Sequence, residues 1–133
     1  MPVEDHLEKI LSSNEGTVAV AVICGDTTCT DCRDGYGHLD FDGFAETFDA
    51  IHEACGAVAA DGIECDDLVL AFDAHNLVVR PLSEGWLIAV TGQIRRGPLV
   101  RLQLNLKLAA RKVEQSLREA PLQLPEPVAA QQK

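Results

Sequence analysis

Three short apolar runs in the second half of the chain constrain its fold more than any other feature. They span residues 68–72, 77–82 and 86–91, and only short polar segments separate them. Connections this short join antiparallel neighbours, because a parallel pair needs a crossover of about a dozen residues or more. The sequence therefore predicts a three-stranded antiparallel meander. Pro81 lacks a backbone N–H, so we expect it at a strand end or near a sheet edge.

The segments before and after the meander predict two more strands and three helices. The run Thr17–Cys24 alternates and is rich in valine, as in an interior strand. Residues 35–39 offer a weak second strand that contains glycine. Helical periodicity covers residues 2–12, about 42–60 and 98–119. This order of elements predicts an α+β fold around an antiparallel sheet.

The last of these helices leaves a question about its surroundings. Its start alternates like a strand, but Pro98 suits a first helical position and the later residues are strong helix formers. As a helix, it carries a second apolar stripe made of Val100, Leu104 and Leu108. Either the first helix covers this stripe or a partner protein does.

The length and composition predict one ordinary globular domain. The chain has 133 residues, of which 47% are hydrophobic and 24% are charged. We expect a single domain over residues 1–120 and a disordered, proline-rich tail over 121–133. No apolar run spans a bilayer and the N-terminus does not resemble a signal peptide, so we expect a cytoplasmic protein.

The charge is unevenly distributed along the chain. Its net value is −10; residues 1–75 hold 17 carboxylates and two cations, and residues 76–133 hold four carboxylates and nine cations. An acidic chain repels phosphate backbones, so we do not expect nucleic-acid binding. The basic segment from Arg95 to Arg118 faces either the acidic first half, within the fold or across a dimer, or an acidic protein surface.

The clearest chemical motif is Cys29-Thr-Asp-Cys32. Two such thiolates bind zinc or close a redox disulfide, and His52 with Cys55 would complete a four-ligand zinc site. Two surface thiols without a dedicated role are the simpler interpretation. The spacing of Cys24, Cys29 and Cys32 also matches plant-type ferredoxins, with Cys65 as a distant fourth ligand.

Other chemistry has little support in the sequence. The four histidines lack a nucleophile in any catalytic signature, and paired aspartates are typical of caps and turns. The lysine and hydroxyl residue of a P-loop are missing. We therefore predict no catalytic residues, no cofactor and no metal site, with a small zinc-binding or thiol-redox protein as the alternative.

Four segments together resemble the roadblock (dynein light chain) domain family, which includes bacterial gliding-motility regulators. They are the strand GTVAVAVIC, the helix DFDGFAETFDAIHEACGAVAA, the meander LVLAF…NLVVRPL…WLIAVTG and the closing helix GPLVRLQLNLKLAARKVEQSL. The resemblance covers residues 3–119. It implies a five-stranded antiparallel sheet with one long helix on one face and two terminal helices on the other. It also implies a dimer, a homodimer being expected here, and a small Ras-like GTPase as the partner.

The resemblance also assigns residues to these contacts. The dimer would form through the third strand and the middle helix, whose small residues allow close packing. The expected dimer residues are Ala54, Ala57, Ala60, Leu68, Val69, Leu70, Ala71 and Phe72. The expected partner contacts are Arg95, Arg96, Val100, Arg101, Leu104 and Leu108.

One segment departs from the family pattern. The family usually joins the first two strands by a short hairpin with an Asp-Gly turn, whereas this chain has GDTTCTDCRDGYGH at that place. Asp34-Gly35 would then be the displaced turn, with the second strand following it.

Overall fold

The computed structural model describes residues 2–25, 27–36, 41, 46–47, 49–50, 53–54 and 67–122. Its elements, in chain order, are α1 (Val3–Ser13), β1 (Thr17–Cys24), β2 (Thr27–Cys32), β3 (Leu68–Ala71), β4 (Asn76–Pro81), β5 (Trp86–Thr91) and α2 (Arg96–Glu119). The described residues between 46 and 54 are also helical, as the middle helix requires. No helix among the described residues is long and apolar enough to cross a membrane.

The five strands form one antiparallel sheet in the order β2-β1-β5-β4-β3. The meander β3-β4-β5 has the predicted connectivity, and Pro81 is the last residue of β4. β5 is buried along its whole length, and β1 is buried except at its last residue. Both strands lie inside the sheet, where apolar side chains are covered on both faces.

Each face of the sheet carries its own apolar core. On one face, α1 and α2 pack against alternate residues of β1, β4 and β5, including Val20, Val78 and Leu87. On the other face, Trp86 donates a hydrogen bond from Nε1 to Oδ1 of Asp49, a helical residue (3.0 Å). The terminal helices therefore share one face and the middle helical residues lie on the other, as expected.

Arg33 connects three elements at one end of the sheet. Its guanidinium donates hydrogen bonds to the carbonyl oxygens of Thr17 (2.7 Å) and Leu11 (3.1 Å). Its backbone N–H donates to the carbonyl oxygen of Val18 (2.9 Å). The ladder between β1 and β5 shifts register at this point, so Val18 and Ala19 both face the same core. Arg33 thus fixes the end of α1 against an irregular stretch of β1.

The predicted position of the second strand was wrong. Of the predicted residues 35–39, Gly35 and Tyr36 are not in a strand, and 37–39 lie outside the described residues. β2 covers Thr27–Cys32 and pairs with β1 from Cys24 opposite Thr27. Gly25 turns the chain there with φ of 59°, a conformation that glycine adopts without strain. Three β-branched threonines favour the extended conformation in this segment, although its polarity suggested a loop. The turn that joins β1 to β2 is therefore at Gly25 and not at Asp34-Gly35.

Candidate functional site

β3 forms one edge of the sheet, because it pairs with β4 and has no neighbour on its other side in the described chain. Leu68 and Leu70 pack against the core on the face of Trp86. Val69 and Phe72 are exposed by 40% and 59%, respectively. We call residues 68–72 the edge segment. On one side of this segment, the backbone N–H and C=O groups have no neighbouring strand in the described chain, and its large apolar side chains are exposed.

The backbone of the edge segment has an inner and an outer set of polar groups. The N–H of Phe72 donates to the carbonyl of His75 (2.8 Å), which closes the hairpin between β3 and β4. Inner and outer groups alternate along an antiparallel strand, so those of Leu68 and Leu70 also point towards β4. The N–H and C=O groups of Val69 and Ala71 therefore point outward from the sheet.

The opposite edge of the sheet has a different chemistry. It is formed by β2, whose sequence TTCTDC contains three threonines and the charged Asp31. Polar and charged side chains at an edge disfavour pairing with another chain, whereas an apolar edge favours it.

Of the predicted dimer residues on the middle helix, Ala54 is helical and exposed, while Ala57 and Ala60 lie outside the described residues.

The outward side of α2 carries the second apolar surface. Val100, Leu104 and Leu108 are exposed by 44%, 57% and 64%, and we call them the outer stripe. The sheet-facing side of α2 includes the fully buried Leu102 and Leu106. As expected, α1 lies beside α2 on the same sheet face, but the expectation that it covers the outer stripe was wrong, because all three side chains remain exposed.

Cationic side chains surround the outer stripe. The predicted partner residues Arg95, Arg96 and Arg101 are exposed at and near the start of α2. Further exposed cations follow along the helix, namely Lys107, Arg111, Lys112 and Arg118. The basic segment therefore presents its charges to solvent.

A groove of about 230 Å³ separates α1 from α2. Its polar interior is held by hydrogen bonds: Nδ2 of Asn105 donates to Oδ1 of Asn14 (2.7 Å), and Nδ2 of Asn14 donates to the carbonyl of Ile10 (2.8 Å). At one end, the buried His6 bonds through Nε2 to Oγ of Ser116 (3.1 Å). The groove is lined by His6, Lys9, Ile10, Ser13, Asn14, Asn105, Leu108, Ala109 and Lys112.

The surroundings of His6 disfavour its protonation. Burial is the main reason that its pKa is lowered, and the positive charges of the amino terminus, Lys112 and Lys9 act in the same direction. Asp5 opposes them, with a smaller effect than burial. The neutral ring is therefore the form that fits between the two helices.

The Cys-x-x-Cys motif does not form one site. Cys29 packs on the α1 and α2 face of the sheet, and Cys32 packs on the opposite face, since three residues of extended strand reverse the side-chain direction. Their Cα atoms are about 10 Å apart along β2, beyond the roughly 7 Å that a disulfide allows. The zinc and redox alternative that rests on this pair was therefore wrong.

The three cysteines with ferredoxin-like spacing do not form a common site, for the same reason. Cys24 and Cys29 share one face, but Cys32 does not. Burial, followed by nearby carboxylates, raises the pKa of the Cys24 and Cys29 thiols, so both are held in the protonated form. Within the described ranges, no group of three His, Cys, Asp or Glu side chains could hold a metal ion. His52, Cys55 and Cys65 lie outside those ranges.

Several solved structures share this arrangement, among them a roadblock domain. A Roadblock/LC7 domain from Streptomyces avermitilis superimposes with a TM-score of 0.71, at 14% identity, over 89% of this chain and 99% of that chain. The gliding protein MglB from Thermus thermophilus gives 0.72 at 18% identity, over 89% and 90%. A structure described as MglB with tetrameric arrangement gives 0.74 at 19% identity, over 89% of each chain. The chain therefore has the roadblock fold.

Sequence comparison adds little to this result. No family model matches the chain. The sulfate/thiosulfate import ATP-binding protein CysA of Xylella fastidiosa (strain 9a5c) is 34% identical over 84 residues, a match that covers 53% of this chain and 24% of that protein. The chain thus spans about a quarter of the length of that relative. A match of this extent does not carry the ATP binding of CysA over to this chain.

Sequence reasoning missed the groove between α1 and α2. A signal for it exists in α2, where Asn105, Lys112 and Ser116 share one side of the helix at spacings of seven and four residues. These polar residues interrupt an otherwise apolar helix side. Because they line a groove only when α1 lies alongside, the sequence of α2 alone does not define the site.

His6 makes a pH-dependent contribution to stability. Its folded pKa is below the ordinary value of 6.5, so this contribution is present above pH 6.5 and is lost as the pH falls through the folded pKa. We expect His6→Gln to lose less thermal stability than the wild type between about pH 7.5 and 5, an interval that brackets the usual histidine range. Thermal unfolding followed by circular dichroism measures this difference.

The matched control for this experiment is His75→Gln, because His75 contacts the ring of Tyr36 elsewhere in the fold. It should retain the acid sensitivity of the wild type. Equal acid sensitivity in wild type and His6→Gln would contradict the assignment.

Proposed function

We propose that this chain is a non-enzymatic adaptor that forms a homodimer through the edge segment and binds a small Ras-like GTPase, or a related protein, through the outer stripe. The observation that carries the partner site is the row of three large apolar side chains exposed on α2. Contiguous exposed apolar surface on a soluble domain marks interaction sites. The roadblock fold supports the same proposal.

The choice of a GTPase rests on the resemblance of the sequence to the roadblock family. The gliding protein MglB has the same fold. This shared fold supports our proposal that the chain regulates a protein partner. The chain has no phosphate-binding loop of its own, so it would act on the GTPase by contact. Such contact would bias the switch loops or help to place catalytic groups of the GTPase.

The arginines beside the outer stripe add charge to the proposed contact. Arg95, Arg96 and Arg101 are exposed near the start of α2, and Val100 lies among them. Cations around an apolar centre increase the rate of association with an acidic surface and disfavour basic ones. We therefore propose that Leu104 and Leu108 provide most of the affinity and that the arginines select the partner.

The homodimer is proposed from the chemistry of the sheet edge. Pairing β3 with the β3 of a second copy would use the outward backbone groups of Val69 and Ala71 and cover Phe72. A two-fold axis at this edge makes the contact self-complementary. The small residues Ala54, Ala57 and Ala60 would then allow the middle helices to approach each other.

Leu104→Glu tests the partner site. We expect it to weaken binding of a purified Ras-like GTPase from the same organism by about 30-fold or more, since a central apolar contact is typically worth about 2 kcal/mol or more. Isothermal titration calorimetry with GDP-loaded and GTPγS-loaded protein measures the effect.

The control for this variant is Gln115→Glu, which makes the same charge change at another position of α2, away from the outer stripe. It should bind as the wild type does. Binding of neither nucleotide form by the wild type at about 100 μM, the range of weak transient contacts, would contradict the proposed partner.

Ala71→Pro tests the dimer. Proline removes the N–H of residue 71, which points away from β4, so the fold of the single chain should persist while edge pairing is lost. We expect the wild type to sediment at twice the chain mass of 14.4 kDa and the variant to sediment as a monomer.

Ala71→Lys serves as the second variant, because its charge opposes edge pairing without restraining the backbone. Circular dichroism verifies that both variants are folded. A monomeric wild type at micromolar concentration, or folded variants that remain dimeric, would refute the interface.

A further inference from the structure

The groove between α1 and α2 is unusual in its charge. One wall carries Lys9 from α1 and the other carries Lys112 from α2, and no carboxylate is among its lining residues in the described part of the chain. The whole chain has 21 carboxylates and 11 lysine and arginine residues, so a surface site with cations only is exceptional here. Two lysines held on opposite walls define a position that suits a negatively charged group.

The interior of the groove is already structured. Asn14 is only 2% exposed and is bonded both to Asn105 and to the backbone of α1. His6 is 7% exposed and is bonded to Ser116 across the helix pair. Because these contacts link the two helices, the lysines project from walls with a fixed spacing, and little reorganisation is needed on binding.

The rim of the groove is apolar and continuous with the outer stripe. Leu108 lines the groove and is also the last member of the stripe. Leu104 lies one helical turn before it. A ligand in the groove would therefore meet two lysines on one side and large exposed leucines on the other.

We propose that this groove is a docking site for an acidic amphipathic segment of a protein partner, with a carboxylate between Lys9 and Lys112 and apolar side chains on Leu104 and Leu108. Charge complementarity selects this occupant, since the described lining supplies cations and no carboxylate. A second copy presenting its own α2 would bring like charges together. An anionic membrane or a nucleic acid would extend beyond the groove and meet the acidic remainder of the chain, whereas a short acidic segment would meet the two lysines of the groove.

The proposal deepens the proposed function, on which it rests for the use of the outer stripe as a protein contact. It adds the chemistry of the segment that the partner contributes. It also adds Lys9, a residue of α1, which is not among the contacts expected from the sequence.

The test uses the full chain and a synthetic helical peptide of about 16 residues, with leucines at positions i, i+4 and i+7 and glutamates beside them. A twin peptide carries glutamine in place of each glutamate. We expect the glutamate peptide to bind at least about ten-fold more tightly than its twin at about 50 mM salt, and the difference to shrink at about 0.5 M.

Variants locate the binding site. Lys9→Glu with Lys112→Glu should reduce binding of the glutamate peptide by about ten-fold or more and should instead bind a third peptide with lysines at the glutamate positions. Arg118→Glu, an exposed change near the end of the same helix and outside both the groove and the outer stripe, should change binding by less than about two-fold. Binding of the lysine peptide also shows that the double variant is folded.

A second readout is the His6 ring, which lies in the groove. A carboxylate placed between the lysines would offset their charges and that of the amino terminus, adding to the effect of Asp5. NMR titration should therefore give a higher pKa for His6 in the presence of the glutamate peptide than in its absence. The pKa of His6 would not change if the peptide bound outside the groove.

Several results would overturn the inference. They are equal binding of the glutamate and glutamine peptides, equal loss in Arg118→Glu and the groove double variant, and tight binding to phosphatidylserine vesicles that depends on the same lysines. The proposed function fails separately, through the response of GTPase binding to Leu104→Glu. A GTPase contact that needs Leu104 but not Lys9 would remove the groove and leave the adaptor.

Discussion

The outward backbone groups of β3 are the constraint on which the rest of the structure depends. A sheet must end somewhere, and this one ends on a strand whose sequence, LVLA, is as apolar as an interior strand. The other end is closed by a polar strand that contains Asp31. Edge strands of soluble proteins usually carry charge, proline or a bulge, and β3 carries none of these. Its composition suits a strand that is paired on both sides.

The packing of α1 and α2 on one face of the sheet leaves part of the apolar surface of α2 exposed. α1 and α2 fill one face of the sheet with residues such as Leu7, Leu102 and Leu106, which are fully buried. α2 has more apolar surface than this face can cover, and the excess is the outer stripe. Cations surround the stripe in a chain that is otherwise acidic. The same helix thus stabilises the domain on one side and exposes apolar and cationic side chains on the other.

Much of the fold could be predicted because the apolar patterns are regular. β1 and β5 have the expected limits, and α2 begins two residues earlier than predicted. β2 was missed because its edge position removes the apolar alternation that identifies an interior strand. The alternative of a metal or redox site at Cys29 and Cys32 was wrong because spacing along the chain does not reveal on which face of a strand each thiol lies. The groove depends on the placement of α1 against α2, which neither helix encodes alone.

Amide hydrogen exchange at individual residues of β3 tests the central claim most directly. The N–H of Leu70 points towards β4 and should be protected at any protein concentration, whereas those of Val69 and Ala71 point outward. If β3 pairs with a second copy, Val69 and Ala71 should become protected together as the concentration rises through the dimerisation range. Fast exchange of Val69 and Ala71 at every concentration, with Leu70 protected, would contradict the account.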